Sequence, residues 1–325
     1  MSEAVATVAP ETRVEGIPPG RQPVLAFDIG GTKLAAGVVD GSGIIHSFLV
    51  APTRPEDGPG LVLARLFELG RQAVTGSDVA WQQIAAVGIG CGGPLDAERG
   101  LLLAPPHLPG WVGVPVASLA QREFERPAFL ENDGTAAAAG EHLYGAGVGT
   151  RNFVYLTIST GVGGGVVVDN RLFRGPFGNG TELGHITVDW HGRLCRGCGR
   201  RGCLEAYVSG TSIGERGREA GLENVTAEDV AAAARDGDPI ATAVWEETVA
   251  ALACGVTSIV NIFEPEVVVI GGGVSRSGEQ LLGPVRDLVR AHAMGSAAHG
   301  EIVQAALGDY VGVVGAAAIV HKTAG

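Results

Sequence analysis

The chain has 325 residues, of which 46% are hydrophobic and 18% charged, and its formal net charge is −12. The apolar content predicts a large folded core. The acidic balance argues against binding to nucleic acid or to anionic membranes, because both need a basic face. Residues 1–22 lack a basic start followed by an apolar core, and no apolar run approaches about 20 residues, so we expect a cytoplasmic protein.

Three β-rich runs follow an N-terminal tail that we predict to be disordered over residues 1–22. Their sequences are VLAFDIG, KLAAGVVD and IIHSFLV, and glycine-rich turns join them. This pattern predicts an antiparallel meander that begins at Val24. A helix near 59–75 and a strand at 84–90 are predicted next.

A second unit of the same kind lies near the middle of the chain. The β-rich runs at 153–159 and 163–169 are again separated by a turn rich in threonine and glycine, so the strand, turn and strand pattern occurs twice. An alanine-rich helix is predicted between the two units, after Asp133. The alternation favours an α/β sandwich with a duplicated architecture.

The clearest helix begins at Asp238, an N-cap residue that is followed by proline in the first helical position. Apolar residues recur every three or four positions from Trp245 to Phe263, and Pro265 ends the pattern. Four more elements are predicted after it: a buried strand at 267–273, a helix over 279–292, a strand near 301–306 and a last helix from about Val313.

Three glycine turns stand at the ends of predicted strands. Backbone N–H groups in such turns can face a phosphate, and an acid beside the first turn can hold Mg²⁺ through water. A hairpin that needs glycine only for its backbone angles explains any one turn, but three together favour a phosphate ligand. A P-loop motif is missing from the sequence. The candidate residues for binding the phosphates and their metal ion are Asp28, Gly30, Gly31, Thr32, Lys33, Thr160, Gly161, Gly163 and Gly272.

A carboxylate stands at a predicted corner between a strand and a helix. Glu131, Asn132 and Asp133 follow a short apolar strand and precede the alanine-rich helix. At such a corner Asp133 could reach a ligand as a general base. It could equally cap the helix, and the sequence leaves both roles open.

One imidazole and three thiolates form a complete ligand set for a tetrahedral zinc ion with no position left for water. The predicted zinc is therefore structural, and the alternative is a set of reduced free cysteines. Closing the metal loop would place Glu182 and Glu205 on the same wall of a cleft. Cys91 and Cys254 are predicted to be ordinary packing residues. The four predicted ligands are His185, Cys195, Cys198 and Cys203.

Together these motifs resemble the ROK family of bacterial repressors and sugar kinases, and within it the glucokinase-like enzymes. The resemblance runs from about Val24 to Val320. The motifs occur in the order D-I-G-G-T-K, L-P-G-W, E-N-D, S-T-G-V-G-G-G, E-L-G-H, C-G-x-x-G-C-L-E and V-I-G-G-G-V.

The resemblance implies the fold of the hexokinase and actin superfamily. We therefore expect two actin-like, ribonuclease H-like α/β domains with a cleft for ATP and sugar between them. The first domain would comprise 23–133 plus 313–325, and the second would comprise 134–312 with the zinc motif. A homodimer or homotetramer is implied as well.

The same resemblance assigns roles to residues of the predicted cleft. Asp133 would take the proton from the 6-hydroxyl of the sugar, while Asn132, Glu182, His185 and Glu205 would bind the ring hydroxyls. ATP with Mg²⁺ would lie along the glycine turns.

The chain departs from the family pattern at three places. The first cysteine pair is one residue longer than the usual C-x-C, which makes Cys195 the least secure zinc ligand. His107 stands where asparagine usually precedes L-P-G-W, and Thr135 replaces an asparagine two residues after the predicted base. If His107 faces the sugar, the KM for the sugar should change between pH 6 and 8. The alternative for His107 is a surface residue.

The expected function is ATP-dependent phosphorylation of a hexose at its 6-hydroxyl, with glucose preferred. Kinases for N-acylmannosamine, N-acetylglucosamine, another hexose, or an aminosugar or cyclitol are the main alternatives. Polyphosphate as donor, a sugar-responsive regulator without its DNA-binding domain, and a catalytically silent sugar sensor are further alternatives.

Overall fold

The computed structural model describes residues 22–176, 178 and 180–323, so the predicted disordered tail falls outside the described residues except at Gln22. The strands are β1 (Val24–Ile29), β2 (Lys33–Val39), β3 (Ile45–Pro52), β4 (Ala86–Cys91), β5 (Leu95–Asp96), β6 (Leu101–Leu102), β7 (Ala128–Asn132), β8 (Phe153–Ile158), β9 (Val162–Val168), β10 (Arg171–Leu172), β11 (Val267–Gly271) and β12 (Glu301–Gln304). The α-helices are α1 (Gly58–Thr75), α2 (Val116–Phe124), α3 (Asp133–Tyr144), α4 (Glu205–Val208), α5 (Gly210–Glu219), α6 (Ala227–Arg235), α7 (Pro239–Phe263), α8 (Glu279–His292) and α9 (Val311–Thr323).

The first sheet has the strand order β3-β2-β1-β4-β7. Its first three strands form the predicted antiparallel meander, whereas β4 and β7 run parallel to β1. Parallel strands end at the same edge of a sheet, and here Ile29 pairs with Cys91 while Cys91 pairs with Asn132. The residues that end β1, β4 and β7 therefore lie side by side.

The second sheet repeats this arrangement with the order β10-β9-β8-β11-β12. Again the first three strands are antiparallel, and β11 and β12 run parallel to β8. The duplication that was predicted from two strand, turn and strand units is thus confirmed in strand order and direction.

Helices cover both faces of both sheets. One apolar core joins the first sheet to α1 and α2, and another joins the second sheet to α4 through α8. On the facing sides, α9 packs on the first sheet and α3 packs on the second, and these two helices pack against each other. The result is an α/β architecture with α3 and α9 between the two sheets.

Helix α7 begins and ends at the residues that its sequence pattern predicts. Asp238 accepts a hydrogen bond from the N–H of Ala241 at 2.8 Å, and the helix ends where Glu264 adopts a left-handed conformation before Pro265. In length and composition α7 could span a membrane, contrary to our expectation for the sequence, but most of it is buried against the protein core.

Most differences from the predicted elements lie at their ends. The last helix begins at Val311 instead of Val313, and the predicted strand at 301–306 ends at Gln304. Helices α2, α4, α5 and α6 were not predicted, because they are short and their apolar positions do not form a long periodic run.

Candidate functional site

Asp133 occupies the first position of α3, and the preceding residue caps the helix. The side-chain oxygen of Asn132 accepts hydrogen bonds from the N–H groups of Gly134 at 3.0 Å and Thr135 at 3.2 Å. The alternative role of Asp133 as the N-cap is therefore wrong. Its carboxylate is solvent-accessible although protein surrounds it, which is typical of the floor of a cleft.

The start of α3 lies directly on the second sheet. A Cβ atom on Gly134 would stand 2.7 Å from the backbone N and O of Gly164 in β9, so only glycine permits this approach. Asp133 is thereby placed between the first sheet, which carries it, and the second sheet, on which its helix rests.

The electrostatics of Asp133 reflect these surroundings. Desolvation by burial raises its pKa above the ordinary value, while the N–H of Gly134 and the nearby imidazole of His107 act in the opposite direction. A carboxylate with a raised pKa is a better proton acceptor near neutral pH than an ordinary aspartate.

Asp28 lies near the end of β1 and faces the same region. Burial and then the charge of Asp133 raise the pKa of Asp28 to about 6, and Lys33 partly offsets this rise. The first turn of α9 lies against this carboxylate, because a Cβ on Gly312 would collide with the Asp28 oxygens. Two carboxylates, one in β1 and one at the start of the helix that follows β7, thus face one space.

His107 borders this space and is half-buried. A Cβ on Gly31 would lie 3.0 Å from the Cβ of His107, and one on Gly92 would lie 2.6 Å from its Cε1. Its Nε2 is 4.0 Å from the Cys91 sulfur. Burial lowers the pKa of His107, and Asp133 opposes that shift.

The second wall of the site contains Glu182 and Glu205. Burial raises the pKa of Glu182, His185 lowers it, and the charges of Asp133 and Glu205 raise it further, so these groups lie close enough to interact. The Oε2 atom of Glu205 accepts a hydrogen bond from the N–H of Val162 at 2.9 Å. Glu205 thereby connects this wall to the second glycine turn.

The three glycine turns fall into two places. Gly30, Gly31 and Thr32 join β1 to β2 beside Asp28 and His107. Thr160, Gly161 and Gly163 lie between or within β8 and β9, where a Cβ on Gly161 would be 2.9 Å from Glu205. Gly272 has φ of 84° and packs on the backbone of Ile158 at the end of β8, so the second and third turns adjoin.

The predicted zinc ligands come together. Their four ligand atoms all lie within 4.8 Å of one another. The sulfurs of Cys198 and Cys203 are 3.5 Å apart, and the sulfur of Cys195 is 3.8 Å from Nδ1 of His185. Zinc bonds to sulfur are about 2.3 Å long, which puts tetrahedral thiolates about 3.8 Å apart. The cluster therefore has the donor set and the size that a tetrahedral zinc ion requires.

Cys195, the ligand that its spacing made least secure, lies fully buried within the cluster. Its N–H donates to the carbonyl of Arg200 at 2.7 Å, and a bridge pairs Leu194 with Arg201. This small hairpin accommodates the extra residue. Oε1 of Glu205 lies 3.3 Å from the Cys195 sulfur, so the cluster directly abuts the wall of the site.

Three site residues were missed or misjudged from the sequence. Thr53 is fully buried and holds the first glycine turn, because its N–H donates to Thr32 and its hydroxyl donates to the carbonyl of Gly30 at 2.6 Å. Gly312 contacts Asp28 from the other end of the chain. Cys91 is buried in the core of the first sheet, as predicted for a packing residue, but its place at the end of β4 beside His107 was not predicted.

Comparison with known proteins identifies relatives along almost the whole chain. A family model described as the ROK family matches residues 24–323. The glucokinase of Thermotoga maritima is 37% identical over 317 residues, which is 93% of this chain and 98% of that protein. The N-acetylmannosamine kinase of Yersinia pseudotuberculosis is 38% identical over 250 residues, or 77% of this chain and 82% of that protein.

A solved structure shows the same architecture. The ROK family glucokinase from Streptomyces griseus, determined in complex with glucose and AMPPNP, superimposes with a TM-score of 0.78 at 34% identity. The alignment covers 91% of this chain and 98% of that one.

Proposed function

The chain belongs to the ROK family, and from that premise we propose that it is a sugar kinase that transfers a phosphoryl group from ATP to the 6-hydroxyl of a hexose, with glucose preferred. The observation that carries this proposal is the approach of Asp28 and Asp133 to one space beside the glycine turns. The similarity to a glucokinase over nearly the full length of both chains supports the reaction.

Asp133 is the catalytic base in this proposal. A sugar hydroxyl is a poor nucleophile near neutral pH, so a carboxylate that accepts its proton as the bond to phosphorus forms accelerates the reaction by typically 10²–10⁴-fold. The raised pKa of Asp133 suits this task. Its fixed place at the start of α3 holds the hydroxyl in line with the phosphoryl group.

The phosphoryl donor is held by the glycine turns and by Asp28. The turns direct backbone N–H groups toward the phosphates, and Asp28 is the residue that would hold Mg²⁺. When bound, that ion supplies neutralisation of charge on the transferred phosphoryl group. Thr53 holds the first turn, so the backbone donors near Gly30 keep their direction.

The sugar lies against the other wall. Asn132, Glu182, His185 and Glu205 bind its ring hydroxyls in our proposal. A carboxylate has about four lone-pair sites, so Glu205 can still accept from a hydroxyl while it accepts from Val162. His185, Cys195, Cys198 and Cys203 would hold a structural zinc ion, which when bound stiffens the loop behind this wall.

A 2-acylamino sugar is the second candidate substrate. It is favoured by the similarity to an N-acetylmannosamine kinase and by His107. Asparagine offers a donor and an acceptor at one tip, whereas a neutral imidazole offers them on opposite sides of a ring. His107 would therefore bind the hydroxyls of a sugar differently from asparagine.

A coupled assay of ADP release over a panel of sugars tests the proposal. The panel comprises glucose, mannose, allose and the N-acetyl derivatives of glucosamine and mannosamine, each with ATP or polyphosphate as donor. The highest kcat/KM should be obtained with glucose and ATP. Failure to phosphorylate any sugar on the panel would refute the kinase assignment.

We also propose the coarser organisation that the resemblance implies. Residues 23–133 plus 313–325 and residues 134–312 would form two actin-like domains around the site, which agrees with the packing of α9 on the first sheet. The enzyme would be a cytoplasmic homodimer or homotetramer without nucleic-acid or membrane partners. Light scattering at micromolar concentration tests the assembly, and the mass of a monomer would contradict it.

A further inference from the structure

An ion pair between a buried carboxylate and a partly exposed arginine joins the two halves of the molecule beside the proposed base. Glu131 lies in β7, and only 1% of it is exposed. Its Oε2 accepts a hydrogen bond from Nε of Arg174 at 2.6 Å. Since β7 and β10 are edge strands of different sheets, and Arg174 follows β10, this pair connects the first sheet to the second.

On the side of the first sheet, Glu131 fixes the peptide that leads into α3. Its Oε1 accepts a hydrogen bond from the N–H of Asn132 at 3.0 Å. Asn132 in turn caps α3 by accepting from Gly134 and Thr135. The direction of Asp133, which lies between these residues, therefore depends on where Glu131 is held.

On the side of the second sheet, Arg174 is bonded to the residue that leads into the proposed sugar-binding wall. Its carbonyl accepts a hydrogen bond from the N–H of Gly180 at 2.8 Å. From Gly180 the chain continues directly into the turn that carries Glu182 and His185. The position of Arg174 therefore sets where the sugar-binding wall begins.

Within the described ranges, no second basic side chain is paired with Glu131. Lys322 is near, because the charge of Arg174 contributes to lowering its pKa, but its Nζ donates to the carbonyl of Asn170 at 3.1 Å. A buried carboxylate that loses its partner is strongly disfavoured. Separation of Arg174 from Glu131 is therefore unfavourable, and the pair ties the two segments to each other.

We propose that Glu131 and Arg174 are positioning residues whose ion pair holds the segment with Glu182 and His185 in register with Asp133. Sugar and base then meet at the distance that phosphoryl transfer needs. This role rests on the proposed function in one respect, that Asp133 is the base. The physical coupling of the two segments does not depend on it.

Substitutions on one or both sides of the ion pair test the positioning role. Arg174→Met should lower both thermal stability and kcat, the latter by about 10-fold or more, with the KM for ATP changed less than about 2-fold. Glu131→Gln combined with Arg174→Met removes the buried charge as well as its partner. This double variant should regain the stability but not the kcat. Arg174→Lys should regain part of the kcat, because an ammonium group can reach the carboxylate without the fork geometry of arginine.

Two results would overturn the proposal: a wild-type kcat in folded Arg174→Met, or a wild-type kcat in the double variant. The second would show that the pair only compensates a buried charge. Arg151→Met is the matched control, since it removes an exposed ion pair with Asp169 and should leave kcat unchanged.

Amide hydrogen exchange tests the coupling without any catalysis. In Arg174→Met, exchange should rise at both 132–136 and 181–186, whereas Arg151→Met should change neither. Faster exchange at 181–186 alone would contradict the coupling. If the wild-type enzyme phosphorylates no sugar, the proposed function fails, and the exchange measurement still decides whether the two segments are coupled.

Discussion

The two sheets share strand order and direction but differ in chemistry. β1 and β8 have six residues each and precede a glycine turn, yet the next-to-last residue is Asp28 in β1 and Thr157 in β8. The first sheet also carries Asp133 at the end of its fifth strand. The second sheet instead supports Glu205, the cysteine cluster and two adjoining glycine turns. A repeated backbone thus supplies two similar sheets. A few side chains make them differ, because the first provides the two aspartates and the second provides Glu182, Glu205 and the cysteine cluster.

Removing Asp133, the proposed base, is the strongest test of this comparison. Asp133→Asn keeps the shape of the side chain, so sugar affinity measured by calorimetry should stay within a few-fold of wild type. The kcat should fall by at least about 10²-fold, because the proton acceptor is gone. Turnover near the wild-type rate would mean that another residue is the base.

The second sheet should depend on its metal cluster. Cys203→Ser should abolish stoichiometric zinc binding in elemental analysis, lower thermal stability and reduce activity by about 10-fold or more, since metal binding is coupled to folding. Cys254→Ser is the control, because this cysteine is exposed and outside the cluster. Unchanged zinc content in Cys203→Ser would remove the site.

Asp28→Asn should raise the stability of the protein near neutral pH and abolish its kinase activity. The pKa of Asp28 is raised to about 6 from 3.8, so the folded state binds a proton more tightly than the unfolded chain does. Asp28 therefore makes the free energy of unfolding fall as pH rises from about 4 to about 6.5, by on the order of 3 kcal/mol.

In urea denaturation without Mg²⁺, the Asn variant should be more stable than wild type at pH 7.5, and its advantage should shrink to about half at pH 5. Its kinase activity should be lost. Thr157→Val, at the matching position of the second sheet, should leave kcat nearly unchanged. A less stable Asp28→Asn at pH 7.5 would contradict the raised pKa.

The smallest expected effect concerns His107. A hydrogen bond contributes about 0.5–1.5 kcal/mol, so His107→Asn should change relative kcat/KM among sugars by roughly 2- to 10-fold. Because burial lowers the pKa of His107, the KM for the sugar should be constant from pH 7 to 8 and should change only below the ordinary pKa of about 6.5. The pH range in which we expect the KM to change is therefore lower than the range of pH 6 to 8 that the sequence alone suggested. Unchanged relative kcat/KM values would show that His107 does not contact the sugar.

The sequence predicted elements whose signals are local. The cap at Asp238 and the apolar spacing to Phe263 lie within one helix. The four predicted zinc ligands span 19 positions, from His185 to Cys203. Long-range contacts left no such signal. Thr53 holds a turn 23 residues away, and Gly312 touches a carboxylate encoded near the other end of the chain.

Two further residue roles could not be predicted from the sequence. Asn132 and Asp133 are both good cap residues, and the sequence alone could not decide which one caps α3. In the structure Asn132 is the cap. It is the last residue of β7, and its side-chain oxygen accepts a hydrogen bond from the N–H of Gly134 in the first turn of α3. Glu131 could not be recognised as an ion-pair partner, because Arg174 lies 43 positions later.

The two helices between the sheets have a consequence for folding. α3 follows the last strand of the first sheet but packs on the second, and α9 follows the last strand of the second sheet but packs on the first. Each half of the chain therefore encodes the helix that shields the inner sheet face of the other. A chain cut between Tyr144 and Phe153 would yield two fragments, and each would have an apolar sheet face exposed. The N-terminal fragment would carry α3, which packs on the second sheet, and the C-terminal fragment would carry α9, which packs on the first. Neither fragment should fold alone, and the two should complement each other when mixed, because each supplies the helix that covers the inner sheet face of the other.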